Sequence, residues 1–277
     1  MDFGIRNLLI IFSKNRACQL HLLLDSLTIN GAGLFFDKVK ILYKSDGDYS
    51  LGYDKLKKIF AGVEFIEETN FRNNLLSMMD DKYTTTTFMV DDCILYRPLM
   101  ARKEYITNWL VDDTVCFSLR LGKNCEYSHP ANLTYKLAEH TQDGEFIKFD
   151  YTKQENGDFK YPLSVDGHIF KTEFIKGLLV EIMFSNPNTL EANLQQFVML
   201  SKIPTNVVSY TESKLVGVPV NMVNSVFNNR HGLQHYISEK ELNDRYINGE
   251  KIDLNKLDFS NINGPHKEIK YEFKNES

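Results

Sequence analysis

The stretch "TTTTFMVDDC", Thr84 to Cys93, decides how the rest of the chain is read. Threonines followed by Phe88, Met89 and Val90 favour a strand, because β-branched and aromatic side chains pack well on a pleated surface. That strand stops abruptly at two adjacent carboxylates. Asp91 and Asp92 repel each other unless a cation or hydrogen-bond donors neutralise them. A segment suited to burial that ends in a charge pair points to a sheet edge opening onto a site.

Upstream, strand and helix patterns alternate with short connections. "NLLIIF", Asn7 to Phe12, is a short apolar run bounded by "SKNR", which suits a strand buried on both faces. In "RACQLHLLLDSLTING", Leu20, Leu23, Leu24 and Leu27 recur at helical spacing, and Asn30-Gly31 is a stop signal. "KVKILYKSDGD" predicts a second strand and a polar turn. "SLGYDKLKKIFAG" predicts a helix ended by Gly62, "VEFIEE" a third strand, and "NFRNNLLSMMDDKY" a third helix. Such alternation is the signature of a parallel sheet with helices on both faces. Open sheets of this kind bind ligands at the carboxyl ends of their strands. "SKNR", "SDGD" and "DDC" all fall at such ends.

Downstream, "RKEYITNWLVDD" predicts a helix and "TVCFSLRLG" a strand, followed by an irregular stretch from Lys123 to Gly157. "NGD" at Asn156–Asp158 is expected to turn between two strands, "FIKFDYTK" and "FKYPLSVDGHIF". "TEFIKGLLVEIMF" is helical, and another helix is expected from near Thr189. "NVVSYTESKLVGVPVNMV" reads as a strand and a loop. Ser238 followed by Glu241 is a capping-box pattern. The charged last dozen residues predict a mobile tail.

Of 277 residues, 43% are apolar, ample for a globular core, and the net charge is −5. No basic field exists to attract nucleic acid over a broad face. The Leu8–Phe12 run is too short for a signal-peptide core or a membrane span. A soluble, cytoplasmic protein is expected, peripheral at a membrane where the acceptor is lipid-linked. Cys18, Cys93, Cys116 and Cys125 form no CxxC pair and read as reduced, structural thiols. There is no GxxxxGK[ST] loop and no GxGxxG after the first strand, which argues against a P-loop ATPase and a dinucleotide oxidoreductase.

The acid pair suggests a hard divalent ion. Mg²⁺ or Mn²⁺ takes one or two carboxylates plus phosphate oxygens and waters, as in nucleotide diphosphate sites. Taken together, "LLIIFSKNRACQLHLLLDSL", "FMVDDCILYRPL", "SVDGHIFKTEFI" and "NPNTLEANL" resemble GT-A-type glycosyltransferases. The likeness is to the small, family-2-like enzymes of bacterial or viral polysaccharide assembly, and it covers roughly Asn7 to Arg230.

The resemblance implies an α/β, Rossmann-type, mostly parallel central sheet flanked by helices, with a small antiparallel and helical C-terminal part. It implies one GT-A-like catalytic domain over residues 1–264, with a nucleotide-binding half (1–106), a donor-sugar and acceptor half (107–264), and a polar tail (265–277). Phe12, Ser13, Asn15 and Arg16 would touch the nucleotide, as would Asp46 (or Asp48), Arg72 and Arg230. Asp91 would sit near the ribose, and Asp92 would ligate the metal with Asp91 and His231. The third acidic position of the family motif is Cys93 here, a soft ligand read as packing. Asp166, Gly167 and His168 would contact the donor sugar, although His168 also suits a partly buried histidine. Glu191, placed in the first turn of a helix, would deprotonate the acceptor hydroxyl, with Asp166 as rival base. An acid there also suits the helix dipole.

The implied activity is metal-dependent transfer of a sugar from a UDP- or GDP-sugar to a glycan or lipid-linked glycan, with inversion. A sugar nucleotidyltransferase and a non-catalytic carbohydrate-binding protein of the same fold are the alternatives. The former usually carries a glycine-rich loop after the first strand, and "SKNRACQ" has no glycine.

Overall fold

The computed structural model describes residues 4–99, 102–223 and 230–276. Its first half alternates β1 (Asn7–Lys14), α1 (Ala17–Ile29), β2 (Lys38–Lys44), α2 (Ser50–Ile59), β3 (Glu64–Glu67), α3 (Phe71–Met78) and β4 (Thr85–Val90). Next come β5 (Cys93–Leu95), α4 (Lys103–Trp109), β6 (Thr114–Ser118), β7 (Tyr127–Ser128), β8 (Leu133–Thr134), β9 (His140–Asp143) and β10 (Phe146–Asp150). The remainder holds β11 (His168–Lys171), α5 (Thr172–Glu181), α6 (Pro187–Met199), β12 (Asn206–Tyr210), β13 (Leu215–Gly217), α7 (Glu239–Ile247), β14 (Glu250–Ile252) and β15 (Phe273–Asn275).

Among the described residues, nine strands form one sheet in the order β3-β2-β1-β4-β11-β6-β12-β10-β9. β3, β2, β1 and β4 are mutually parallel, and β6 and β12 run the same way. β11 and β10 are inserted antiparallel to their neighbours. The expected α/β class, with a large, mostly parallel central sheet flanked by helices, is what the chain forms.

β1 explains why. Leu8, Leu9, Ile10 and Ile11 are all 0% exposed. Successive strand residues point to opposite faces. Leu9 and Ile11 therefore join the core beneath α1 and α2, while Leu8, Ile10 and Phe12 join the one beneath α3, α5 and α6. Each such side chain contributes about 1.5–3 kcal/mol relative to exposure. α1 ends as its sequence predicts: Asn30 caps it and donates to the Leu95 carbonyl at 2.7 Å, and Gly31 turns the chain at φ 74°.

Three expectations are corrected. "FKYPLSVDGHIF" is not one strand: a 3-10 turn at Asp158–Lys160 takes in its first two residues, and it reaches sheet geometry only at His168. Gly167, at φ 74°, interrupts it. The hairpin lies upstream, between β9 and β10, where Gly144 takes φ 58°. The supposed tail is folded too. β15 pairs antiparallel with β14, Pro265 accepts a hydrogen bond from the Gly217 amide at 2.8 Å, and Ile269 and Tyr271 are buried. Ile269, Tyr271 and Phe273 alternate with charged residues, a strand-like period that bulk polarity conceals. Among the described residues no helix is long and apolar enough to cross a membrane. All four cysteines are free and buried.

Candidate functional site

A cleft of about 690 Å³ opens at the carboxyl ends of β1, β2 and β4. Its far side is built by residues 157–166, the start of α6, residues 219–223, Arg230, His231 and His266. Strand ends collect functional groups because the ladder stops there and side chains are no longer needed for the core.

At the floor, β1 and β4 lie side by side, so Ser13, Lys14 and Arg16 meet the acid pair. Asp91 is only 3% exposed and fully committed. One of its oxygens accepts from Ser13 Oγ at 2.8 Å and the Lys14 amide at 3.1 Å; the other accepts from Arg16 Nη1 at 3.1 Å. Ser13 in turn meets the Tyr53 hydroxyl at 2.6 Å. Arg16 Nη1 also reaches Asp92 at 3.2 Å, and Nη2 donates to the Asn221 carbonyl at 2.5 Å. Burial works to lower the pKa of this guanidinium, but Asp91 and Asp92 hold it above the ordinary value. Asp92 is the more open carboxylate. Burial pushes its pKa up to about 6 despite Arg16, and Asp91 and Asp166 add to the rise.

Across the cleft, Arg120 of the β6–β7 connection is buried at 4% exposure. It donates to Asp158 at 2.5 Å, Ser164 at 2.6 Å and Asp166 at 3.5 Å. His266 Nε2 lies 3.3 Å from the same Asp166 oxygen. Burial would raise Asp166, but the His266 hydrogen bond and Arg120 hold its pKa below the usual carboxylate range. Glu191 has the opposite environment. Burial, then the nearby Asp166 charge, push its pKa up to about 7, against the Val165 amide that donates to it at 2.9 Å. Glu191 does not lie in the first helical turn: α6 starts at Pro187 under an Asn186–Thr189 capping box, which puts Glu191 one turn further in. The cap, not Glu191, satisfies the helix N-terminus.

Of the residues singled out in the sequence, Phe12, Ser13, Arg16, Asp91, Asp92, Asp166, Glu191, Arg230 and His231 line this cleft. Arg230 is held there by the Tyr127 hydroxyl and the His129 carbonyl. Five others are placed elsewhere. Asn15, at φ 56°, and Asp46 are spent on each other through two hydrogen bonds that zip the ends of β1 and β2. Arg72 donates to the Val180 and Ile182 carbonyls, at 2.9 Å each, at the end of α5. His168 is 1% exposed, with Nδ1 3.0 Å from the Pro162 carbonyl; burial lowers its pKa to about 3. Gly167 is closely packed. A Cβ there would come within 2.2 Å of Leu215 Cδ2, and its φ is +74°. Gly167→Ala is therefore expected to cost about 1–3 kcal/mol in urea unfolding.

Arg120, His266, Lys44 and Glu68 line the cleft without a sequence signal that marks them. Arg120 is an isolated basic residue in an apolar run, and His266 sits in the segment expected to be tail.

No protein-family model matches the chain. Over 257 residues it is 27% identical to the bifunctional glycosyltransferase pgtA of Dictyostelium discoideum. The chain is similar to a glycosyltransferase. The match covers 82% of this chain and 33% of that relative, so the chain spans about a third of its length. Among solved structures, Staphylococcus aureus TarS in complex with UDP-GlcNAc is 12% identical, with a TM-score of 0.45 and 88% and 65% of the two chains covered. A mannosyltransferase from Pyrobaculum calidifontis, in complex with GDP-Man and Mn²⁺, is 14% identical, with a TM-score of 0.40 and coverage of 76% and 58%. The likeness to glycosyltransferases read from the sequence motifs agrees with the name of the curated relative.

Proposed function

We propose that this protein is a glycosyltransferase that moves a sugar from a nucleotide-diphosphate sugar to a glycan or other hydroxyl acceptor in the cytoplasm, with inversion. One observation carries the reading. A cleft at the carboxyl ends of parallel strands sets the Asp91–Arg16–Asp92 cluster against a separate carboxylate, Glu191, whose pKa is tuned close to neutrality. A leaving diphosphate needs positive charge, which a divalent ion held at Asp92 would supply on one wall, and an attacking hydroxyl needs a base, which Glu191 would supply on the other.

A divalent cation suits the donor set only in one mode. Among the described residues no group of three or more His, Cys, Asp or Glu side chains is arranged to hold an ion. Both oxygens of Asp91 are engaged by donors, so Asp92 is the carboxylate left to bind, with His231 lining the same cleft. That fits Mg²⁺ or Mn²⁺, which take few protein ligands and complete their shell with diphosphate oxygens and water. Asp92, whose charge is under-compensated, gains most from such an ion, which would supply Lewis-acid stabilisation of the leaving diphosphate.

The chain's own residues would do the rest. Arg16 and Arg230 would bind the diphosphate. Asp166, kept ionised and oriented by Arg120 and His266, would accept hydrogen bonds from donor-sugar hydroxyls. Glu191 would take the acceptor's proton as its oxygen attacks the anomeric carbon. Asp166 is the poorer base, because the partners that lower its pKa also weaken its hold on a proton.

Incubation with UDP- and GDP-sugars and Mn²⁺ or Mg²⁺ tests the proposal: slow release of UDP or GDP is expected. Pyrophosphate formed from a nucleoside triphosphate and a sugar phosphate would instead make the protein a nucleotidyltransferase. Neither product, with glycan binding intact, would make it a binding module. Asp92→Asn is expected to weaken metal-dependent donor binding by about 100-fold or more, since even second-shell losses at metal sites cost about 10–100-fold. Calorimetry with and without the ion reads this directly, and an unchanged affinity removes Asp92 from the site.

A further inference from the structure

The chain from Arg230 to Tyr236 is exposed or half-buried throughout, so its backbone holds it in place rather than side chains packed in a core. The Gly232 amide donates to the Pro219 carbonyl at 2.9 Å. The next three amides all go to one side chain. Leu233 donates to Glu268 Oε1 at 2.8 Å, and Gln234 and His235 donate to Oε2 at 2.7 and 3.0 Å. Glu268 is 6% exposed, and these amides hold its pKa below the ordinary value against the effect of burial. Its own backbone is pinned on both sides. Gly217 of β13 donates to the Pro265 carbonyl at 2.8 Å and accepts from the Lys267 amide at 2.9 Å, and Ile269 is buried. The same carboxylate reaches a second loop. Its Oε1 lies 3.3 Å from His129 Nε2, and the His129 carbonyl is what accepts from Arg230 Nη1, at 2.8 Å.

We propose that Glu268 is a positioning residue for donor binding: it fixes Arg230 from two sides, through the loop that follows it and through the residue whose carbonyl receives its guanidinium. The inference rests on the reading above, in which Arg230 binds the diphosphate. Glu268 is not among the residues that line the cleft, so it acts through Arg230 and not on the ligand. Bonds from amides to an ionised carboxylate are about twice as strong as neutral ones, which suits a loop that packs no side chain of its own. An arginine loses rotamer entropy when it grips a ligand, and one already held in place loses less. Charge and position predict opposite signs here. A carboxylate repels a nearby anion, so deleting its charge would by itself tighten diphosphate binding. Weaker binding after that deletion therefore reports lost position.

Calorimetric titration of UDP and GDP in the presence of Mg²⁺, on wild type, Glu268→Gln, Arg230→Met and the double variant, tests this. Glutamine keeps one acceptor oxygen and turns an NH₂ group toward amide N–H groups, so it cannot hold the loop. Arg230→Met is expected to weaken the better-bound nucleotide by about 10–100-fold, the worth of a hydrogen bond to a charged group. Glu268→Gln should weaken it by about tenfold, but by less than about twofold once Arg230 is replaced, because nothing is left to position. Glu268→Asp keeps the charge on a shorter stem. It should show a smaller loss with the same dependence on Arg230, and it stands in where glutamine disrupts folding. Unchanged or tighter binding in both Glu268 variants, or losses that simply add to that of Arg230→Met, overturn the positioning role and leave the transferase reading standing. Failure of both UDP and GDP to bind the wild type overturns both.

Discussion

Replacing Glu191 by glutamine is expected to slow transfer by about 10²–10⁴-fold, the usual worth of a general base, while donor affinity stays the same and the fold becomes more stable above neutral pH. The two effects share one cause. Burial and the nearby Asp166 charge lift Glu191 to about 7. That leaves a carboxylate basic enough to accept a proton yet half ionised at working pH. The wild-type rate should therefore rise as pH climbs through about 7 and then level off. The stability sign runs the other way. The folded-state pKa exceeds the ordinary value of 4.5, so the folded protein holds this proton more tightly than the unfolded chain does. Below about 4.5 the group costs nothing. Between about 4.5 and 7 stability falls as pH rises, at up to about 1.4 kcal/mol per unit. Glutamine keeps an acceptor for the Val165 amide but carries no charge. Allowing for the carboxylate's partial exposure, it should gain about 1–3 kcal/mol at pH 8 and nothing at pH 4. Urea unfolding at both values decides the matter. A variant that keeps its transfer rate removes Glu191 as the base; one with no pH-dependent gain shows that its carboxylate is well solvated.

Such a trade is expected where a site holds a charge the fold would rather discard. It also explains which parts of this site are visible in the sequence. The strand-end clusters are legible because topology puts the carboxyl ends of parallel strands together whatever their tertiary detail, so "SKNR" and "DDC" had to be neighbours. That rule puts the segments of Arg16, Asp91 and Asp92 at the site, while their roles there are what the resemblance implies. It says nothing of Arg120 and His266. Each acts through partners about 40 to 100 positions away, such as Asp158 and Asp166, and no local period records those distances. The C-terminal segment is misleading because its charged residues outnumber the buried ones that dock it, Ile269 and Tyr271. Its Glu268 looks like tail chemistry but accepts three consecutive amides, from Leu233, Gln234 and His235, and so holds down the loop that follows Arg230 and His231. Arg72 and Asp46 differ again: a charged residue at a strand end or helix start looks the same in sequence whether it meets a ligand or a neighbouring group, and the folded chain hydrogen-bonds them to the Val180 and Ile182 carbonyls and to Asn15.

Arg16→Met should be the most damaging single change to the fold, at about 3–5 kcal/mol near neutral pH. The guanidinium is 8% exposed and bridges Asp91, Asp92 and the Asn221 carbonyl. Methionine fills much of the space but strands two carboxylates, and Asp91, at 3% exposure, cannot recruit water in its place. Ser13 and the Lys14 amide remain as donors, which neutralise no charge. The loss should accordingly depend on pH. Without Arg16 the acids protonate more readily, so the gap between variant and wild type should narrow as pH falls toward 5. Pairing the change with Asp91→Asn should recover part of the loss, since the double variant buries one uncompensated charge fewer; the coupling between the two sites should reach about 1–3 kcal/mol. Urea unfolding of the wild type, the two single variants and the double variant measures it. Independent, additive losses would mean that the ion pair contributes nothing beyond its separate groups, and the charge cluster at the end of β4 would then owe its geometry to the backbone alone.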